Sequence, residues 1–199
     1  MPTVTALRPA RPGRVLVELD GGRWRTVPLD VAARVGLAVG LELDRERLRT
    51  LRRELRRAAA IETGARTLAR RDRSEQGLRR LLERRGVPAA EREEAVAILR
   101  SVGAVDDGRY AAVRAAALAE RGLGDAAILF DLEREGIAVT QAREALDGLE
   151  PERDRATRLA TRRGGDARTA RWLARRGFTA DSIEEVLPGI AESGAAELG

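Results

Sequence analysis

Two adjacent acids, Asp106 and Asp107 in the segment AVDDGRYA (104–111), come nearest in this chain to a chemical motif. A carboxylate pair can hold a divalent cation, or divide into general acid and general base when its surroundings drive two pKa values apart. Either role needs partners. The chain has no His and no Cys, which removes imidazole bases, thiolates and the usual zinc ligands; without Lys there is no Ser-Lys dyad either. No other acid stands at a recognisable ligand spacing from the pair. An Asp just ahead of a helix, by contrast, accepts a hydrogen bond from a free first-turn N–H and sits at the positive end of the helix dipole. The pair therefore reads as helix capping, and no catalytic residue, metal site or cofactor is expected. RGLGDAA (121–127) contains Gly-x-Gly but lacks the third Gly and a preceding strand, so it is no dinucleotide loop.

The arginines are the other chemically capable group. All 37 basic residues are Arg, because Lys and His are both missing, and Asn is missing too. Arg offers a bidentate fork for phosphate, yet the joint loss of Lys and Asn looks like a compositional bias of the source genome. Position says more than number. Residues 1–103 carry 23 Arg against 14 acids, net +9, whereas residues 104–150 carry 5 Arg against 10 acids, net −5. Arg70, Arg71 and Arg73 end one helix, Arg79, Arg80 and Arg84 line the next, and Arg56 and Arg57 continue the stripe upstream. Such a surface holds phosphate backbone without reading bases; equally, it is a solvated face with acid partners four residues away, as Glu75 and Arg79 are. Arg171 and Arg175 are further candidates for phosphate, and Trp172 between them, like Trp24, could stack on a base or pack in the core. Trp24, between Arg23 and Arg25, is expected in a hairpin core.

The elements that must position these residues can be read from the pattern. Hydrophobic residues make up 43% of the chain but aromatics only 3%, so the core must be Leu, Val, Ile and Ala, a mixture that suits close-packed helices. No apolar run is long enough to cross a bilayer and no signal-peptide core is present, so a soluble cytoplasmic protein is expected. RVLVEL (14–19), the turn DGG (20–22) and RWRTVPL form a hairpin signal. A short helix capped by Asp30 and a brief strand over Leu37, Val39, Leu41 and Leu43 should follow, and then a helix capped by Asp44 and running to about Ala60.

Beyond residue 60 a repeat emerges. SEQGLRRLLERRGV (74–87), GDAAILFDLEREGI (124–137) and GDARTARWLARRGF (165–178) align without gaps. Each places a Leu eight positions on (Leu82, Leu132, Leu173) and ends in Gly plus an apolar residue: Gly86–Val87, Gly136–Ile137 and Gly177–Phe178. That ending is a left-handed helix stop with its hydrophobic contact. Each helix has amphipathic neighbours on both sides, with Pro88, Thr140 and Thr179 opening the following ones. The expected fold is mainly α: an N-terminal β-hairpin/helix unit (1–60), then three tandem three-helix repeats (61–105, 106–150, 151–190) in an elongated array and a disordered tail (191–199).

LARRDRSEQGLRRLLERRGVP (68–88), then a helix, then SVGAVDDGRYA (101–111), with RRGF (175–178) before a further capped helix, resembles the RecX regulatory proteins. The likeness spans residues 61–190; the N-terminal PGRVLVELDGGRW unit resembles an extension seen in some members. The resemblance implies a monomeric, cytoplasmic modulator of the RecA recombinase. It would bind RecA–DNA filaments and restrain homologous recombination, strand exchange and ATP turnover within DNA repair and the SOS response. It implies no cofactor and no catalytic residue. The acidic second unit departs from the basic pattern, with Asp131 where a neutral residue would continue the helix face. Asp131, Glu133 and Glu135 thereby become candidates for touching RecA rather than DNA. The competing readings are an autonomous, non-specific nucleic-acid-binding helical protein and a plain helical scaffold.

Overall fold

The computed structural model describes residues 1–188; the expected tail (191–199) and Ile190, assigned to the third repeat, lie outside them. Two compact units form, one from residues 1–71 and 78–104, the other from residues 72–77 and 105 onward.

The first unit begins with an antiparallel sheet of β1 (Val4–Arg11), β2 (Arg14–Leu19) and β3 (Gly22–Pro28) in that order. The hairpin read from the sequence is β2–β3. Its turn places both Asp20 (φ 48°) and Gly21 (φ 81°) in the left-handed region, the geometry whose twist matches paired strands. Asp20 also accepts a hydrogen bond from the Thr3 N–H at 2.8 Å. β1 was not legible. It buries only Val4 and carries Pro9, which is tolerated because β1 is an edge strand. Val4, Val15, Val17 and Val27 pack against Val31, Leu43 and Leu51 as one core.

Three expectations need correction in this unit. Asp30 does not cap α1 (Leu29–Arg34): Pro28 holds the cap position, and Asp30 lies in the first turn, paired with Arg34 at 2.8 Å. The alternation over 37–43 forms no strand beyond an isolated Thr3–Glu42 bridge. Gly36 (φ 65°) and Gly40 (φ 88°) interrupt the extended backbone there, and Val39 points outward, 64% exposed. Asp44 does cap a helix, accepting from the Arg47 N–H at 2.7 Å. That helix, α2 (Arg45–Leu68), runs through the boundary expected at residue 60, since Ala58-Ala59-Ala60 offers nothing to stop it. Its second half packs on α4 (Ala89–Ser101) and comes close to Leu78 in the first turn of α3 (Glu75–Arg84). Gly64 makes the approach possible, since a Cβ there would lie 2.5 Å from Leu99 and 3.5 Å from Leu78.

The second unit holds α5 (Asp107–Glu120), α6 (Asp125–Arg134) and α7 (Val139–Asp147), then α8 (Glu152–Arg163), α9 (Ala167–Arg175) and α10 (Ala180–Val186). Ala111, Ala115, Ile128, Leu132 and Ala142 centre the first trio; Ala156, Ala160, Leu173 and Phe178 centre the second. The repeat signature behaves as expected across the chain. Leu82, Leu132 and Leu173 are wholly buried, and Gly86, Gly136 and Gly177 have φ of 72°, 81° and 80°. The N–H of Val87, Ile137 and Phe178 returns to the carbonyl of those same leucines, which is the Schellman closure. Thr179 caps α10 as expected. Thr140 does not cap α7: that helix starts one residue earlier, behind Ala138.

Candidate functional site

Asp106 and Asp107 divide the work of starting helices. Asp106 caps α5, accepting from the Arg109 N–H at 2.9 Å. Asp107 reaches the start of α3 and accepts from the Glu75 N–H at 2.7 Å. A further 45 residues along, Glu152 takes the place of Asp107 and accepts from the Asp125 N–H at 2.6 Å, at the start of α6. The carbonyls repeat the match: Glu135 O accepts from Ser74 Oγ at 2.7 Å, and Arg176 O accepts from the Gly124 N–H at 2.9 Å. The acids that suggested chemistry are thus part of a duplicated repeat-to-repeat joint, which sequence spacing alone did not reveal.

At the second joint the polar network is dense. Burial works to raise the Glu152 pKa, but hydrogen bonds from Thr179, the Asp125 N–H and Ser182 hold it below the ordinary glutamate range. Asp125 moves the other way, pushed up by burial and only partly held down by the Arg155 guanidinium it pairs with. Arg155 also donates to the carbonyls of Glu150 and Leu123, and Arg176 donates to Gly122 O at 2.7 Å and to Arg121 O. A cleft of about 420 Å³ beside this joint is lined by Asp125, Arg143, Asp147, Glu150 and Glu152. Of these, Asp125, Glu150 and Glu152 are engaged with Arg155, Arg158 and Thr179. A second cleft, of about 340 Å³, is lined mainly by Val35, Leu37, Leu41, Leu43 and Leu51. Among the described residues no three His, Cys, Asp or Glu side chains converge as metal ligands, and no helix is long and apolar enough to cross a membrane.

The candidate arginines separate into paired and open groups. Arg56 binds the buried Glu91 at 2.6 Å, Arg57 binds Glu54 and Glu94, and Arg79 binds Glu93 at 2.9 Å. Burial pushes the Glu91 carboxyl up, yet the Arg56 hydrogen bond and the Arg56 and Arg53 charges bring it below its ordinary value. Arg73 and Arg80 are half-buried, with their Nε atoms out of contact with solvent. Arg70, Arg71 and Arg84 are exposed, as are Arg171 and Arg175 on α9.

Of the two tryptophans, Trp24 departs from expectation and Trp172 takes the core-packing alternative. Trp24 is not in the hairpin core. The pairing runs Val17 to Arg25 and Glu18 to Arg23, so Trp24 is the extra residue of a bulge, 38% exposed, with Arg25 5.5 Å from its ring centroid. Trp172 packs on the third-repeat core, and the Arg163 and Arg176 guanidinia lie 4.3 and 4.8 Å from its ring centroid.

The three candidate acids are also not equivalent. Asp131 is held by Arg114 at 2.8 Å and Arg134 at 2.8 Å, which explains an acid on that helix face: it neutralises a half-buried guanidinium. Glu135 is half-buried at the first joint, and Glu133 is exposed.

No protein-family model and no curated protein sequence matches the chain. Solved structures do. The crystal structure of a regulatory protein RecX superposes with a TM-score of 0.80 over 94% of this chain and 98% of its own, at 22% identity. The fold is that of RecX. RecX from Lactobacillus salivarius gives a TM-score of 0.60 at 17% identity, covering 69% of this chain and 97% of its own. The RecX fold of this chain comprises, among the described residues, ten helices and the three-stranded N-terminal sheet.

Proposed function

We propose that this protein is a RecX-type regulator that binds the RecA recombinase on its DNA filament and restrains strand exchange and ATP turnover. The observation that carries the reading is the fold match over 94% of the chain, taken with the RecX-like segments 68–88 and 101–111. Those segments meet at the first joint, where Asp107 caps the start of α3. A role in homologous recombination, DNA repair and the SOS response, in the cytoplasm and as a monomer, follows from the same reading.

The exposed Arg70, Arg71, Arg84, Arg171 and Arg175 are the residues proposed to meet phosphate, with Arg56, Arg57, Arg73, Arg79 and Arg80 adding charge from paired or half-buried positions. Asp131, Glu133 and Glu135 are proposed to lie on the face toward RecA. Glu133 is the one to reverse, because changing Asp131 would strand Arg114 and changing Glu135 would disturb the joint. An acidic segment steers orientation on a basic protein surface more than it adds affinity. The charge split supports weak, salt-sensitive binding to naked DNA and tighter, less salt-dependent binding to the filament. RecA ATPase and strand exchange, measured with and without the protein, test this. Both should fall at stoichiometric protein, and Glu133→Arg should weaken the effect while strengthening naked-DNA binding. Unchanged RecA activity together with firm naked-DNA binding would favour the autonomous nucleic-acid-binding reading.

A further inference from the structure

The first half of α2 carries a cationic surface of which the arginine clusters read from the sequence included only Arg56. Arg45, Arg49, Arg52, Arg53 and Arg56 follow one another at i, i+4, i+7, i+8 and i+11. At 3.6 residues per turn they fall within an arc of about 100°, and all five are exposed. Arg56 is engaged by Glu91, and Arg53 approaches Glu54 no closer than 3.8 Å. Arg45, Arg49 and Arg52 have no hydrogen bond, ion pair or ring contact among the described residues.

A compositional bias toward Arg explains why these residues are not Lys. It does not explain why the arc contains no acid. The acids in the middle and second half of α2 sit on other faces and are paired, Glu54 with Arg34 and Arg57, Glu62 with Arg14 and Arg66. The arc instead sets Arg against Arg at (i, i+4) three times: 45 with 49, 49 with 53, and 52 with 56. Each such pair is unfavourable to the helix, and Arg45 also stands in the first turn, where the dipole disfavours a cation. An arrangement that works against its own helix when bare is relieved by a polyanion lying along it.

We infer that Arg45, Arg49 and Arg52 form a binding site for the sugar-phosphate backbone of nucleic acid. The three guanidinia span about 10 Å of helix axis at about 1.5 Å per residue. Each long, flexible Arg side chain can reach one phosphate, so the stripe makes up to about three phosphate contacts. Each fork can take phosphate oxygens bidentately. The site positions the nucleic acid and reads no bases. A lipid surface is the poorer fit. A helix lying in a membrane interface sets a large apolar face beside its basic one, whereas Leu48, Leu51 and Leu55 of α2 pack into the N-terminal core and α2 exposes no large hydrophobic residue.

The inference concerns naked nucleic acid and is independent of the recombinase reading, so its test contains no RecA. Fluorescence anisotropy of a labelled, mixed-sequence DNA duplex is titrated with the full chain, with R45Q/R49Q/R52Q, and with a charge-matched control, R143Q/R162Q/R168Q, across a salt series. The stripe variant should bind at least tenfold more weakly than the control. Its slope of log affinity against log salt should shrink by about 2.7, at about 0.9 per lost phosphate contact. In the absence of DNA it should melt at or above the wild-type temperature, because three like-charge pairs are gone. Equal affinity and slope for the two variants overturns the site, as does a stripe variant that melts well below wild type. Binding to phosphatidylserine vesicles without binding to the duplex overturns it too.

Discussion

Replacing Gly124 with Ala should break the joint between the second and third repeats, although its backbone conformation suits any residue. Gly124 has φ −83° and ψ 170°, so the demand for glycine comes from proximity alone. A Cβ would lie 2.2 Å from the Phe178 nitrogen and 2.4 Å from both the carbonyl carbon and oxygen of Gly177. All three are backbone atoms with no rotamer to move. Across the joint, a Cβ on Gly177 would lie 2.5 Å from the Ala127 nitrogen, so neither side has slack. Separation forfeits the Gly124 N–H bond to Arg176 O (2.9 Å) and the Ala126 N–H bond to Gly177 O (3.1 Å). Two backbone hydrogen bonds at about 0.5–1.5 kcal/mol each, with about 1–3 kcal/mol for overpacking, give a loss of about 2–6 kcal/mol. Urea denaturation followed by circular dichroism measures it. Gly148→Ala is the control: its Cβ would meet nothing closer than the Ala145 carbonyl at 3.7 Å, and its cost should stay within about 0.5 kcal/mol. If the two variants unfold at the same urea concentration, the close approach is not what holds the repeats together.

Two further outcomes follow from the acids. Asp106→Ala and Asp107→Ala should each cost about 0.5–2 kcal/mol, the first through α5 and the second through α3, measured by the same denaturation; a silent Asp107→Ala would remove the joint from the account of these residues. Glu91 has its folded pKa held below its ordinary 4.5, so its stabilising effect is fully present above that pH and fades as pH falls through the lower folded value. Glu91→Gln should therefore lower stability at neutral pH and flatten its decline below about pH 4.5, and an unchanged acid limb would show that the Arg56–Glu91 pair contributes nothing.

The parts of the fold that were legible are those where one residue's conformation or burial is dictated locally. A Leu at the third-last helical position, a Gly that must adopt positive φ and an apolar residue after it specify a helix stop without help from elsewhere, and all three copies behave so. Asp44, Asp106 and Thr179 were legible as caps for the same reason. The misreadings occur where distant partners decide. β1 is a strand because β2 offers it an edge, not because of its own pattern. The alternation at 37–43 promised a strand that glycine geometry cancels. Trp24 leaves the core through a bulge whose existence depends on register with β2. Among the candidate residues, Arg70, Arg71 and Arg73 do not end a helix as the pattern suggested: α2 stops at Leu68 and they lie in the connection to α3. The pairing of Arg56 with Glu91, 35 residues away, could not be seen from (i, i+4) spacing.

The two joints also show how one arrangement can be kept while its side chains change. Its two copies use different side chains for the same task. Ser74 and Gly124 donate from equivalent positions, one with a hydroxyl and one with a backbone N–H, to the equivalent carbonyls of Glu135 and Arg176. Asp107 and Glu152 differ by a methylene yet cap the same first-turn N–H. The invariant parts are backbone donors, backbone acceptors and an acid arriving from the next repeat. A rule written in the backbone leaves most side chains free to change. On the same logic, a charge on α6 that looks anomalous by type, Asp131, is ordinary once Arg114 is placed beside it, and it is the exposed, unpaired arginines of α2 that the packing of the repeats does not require.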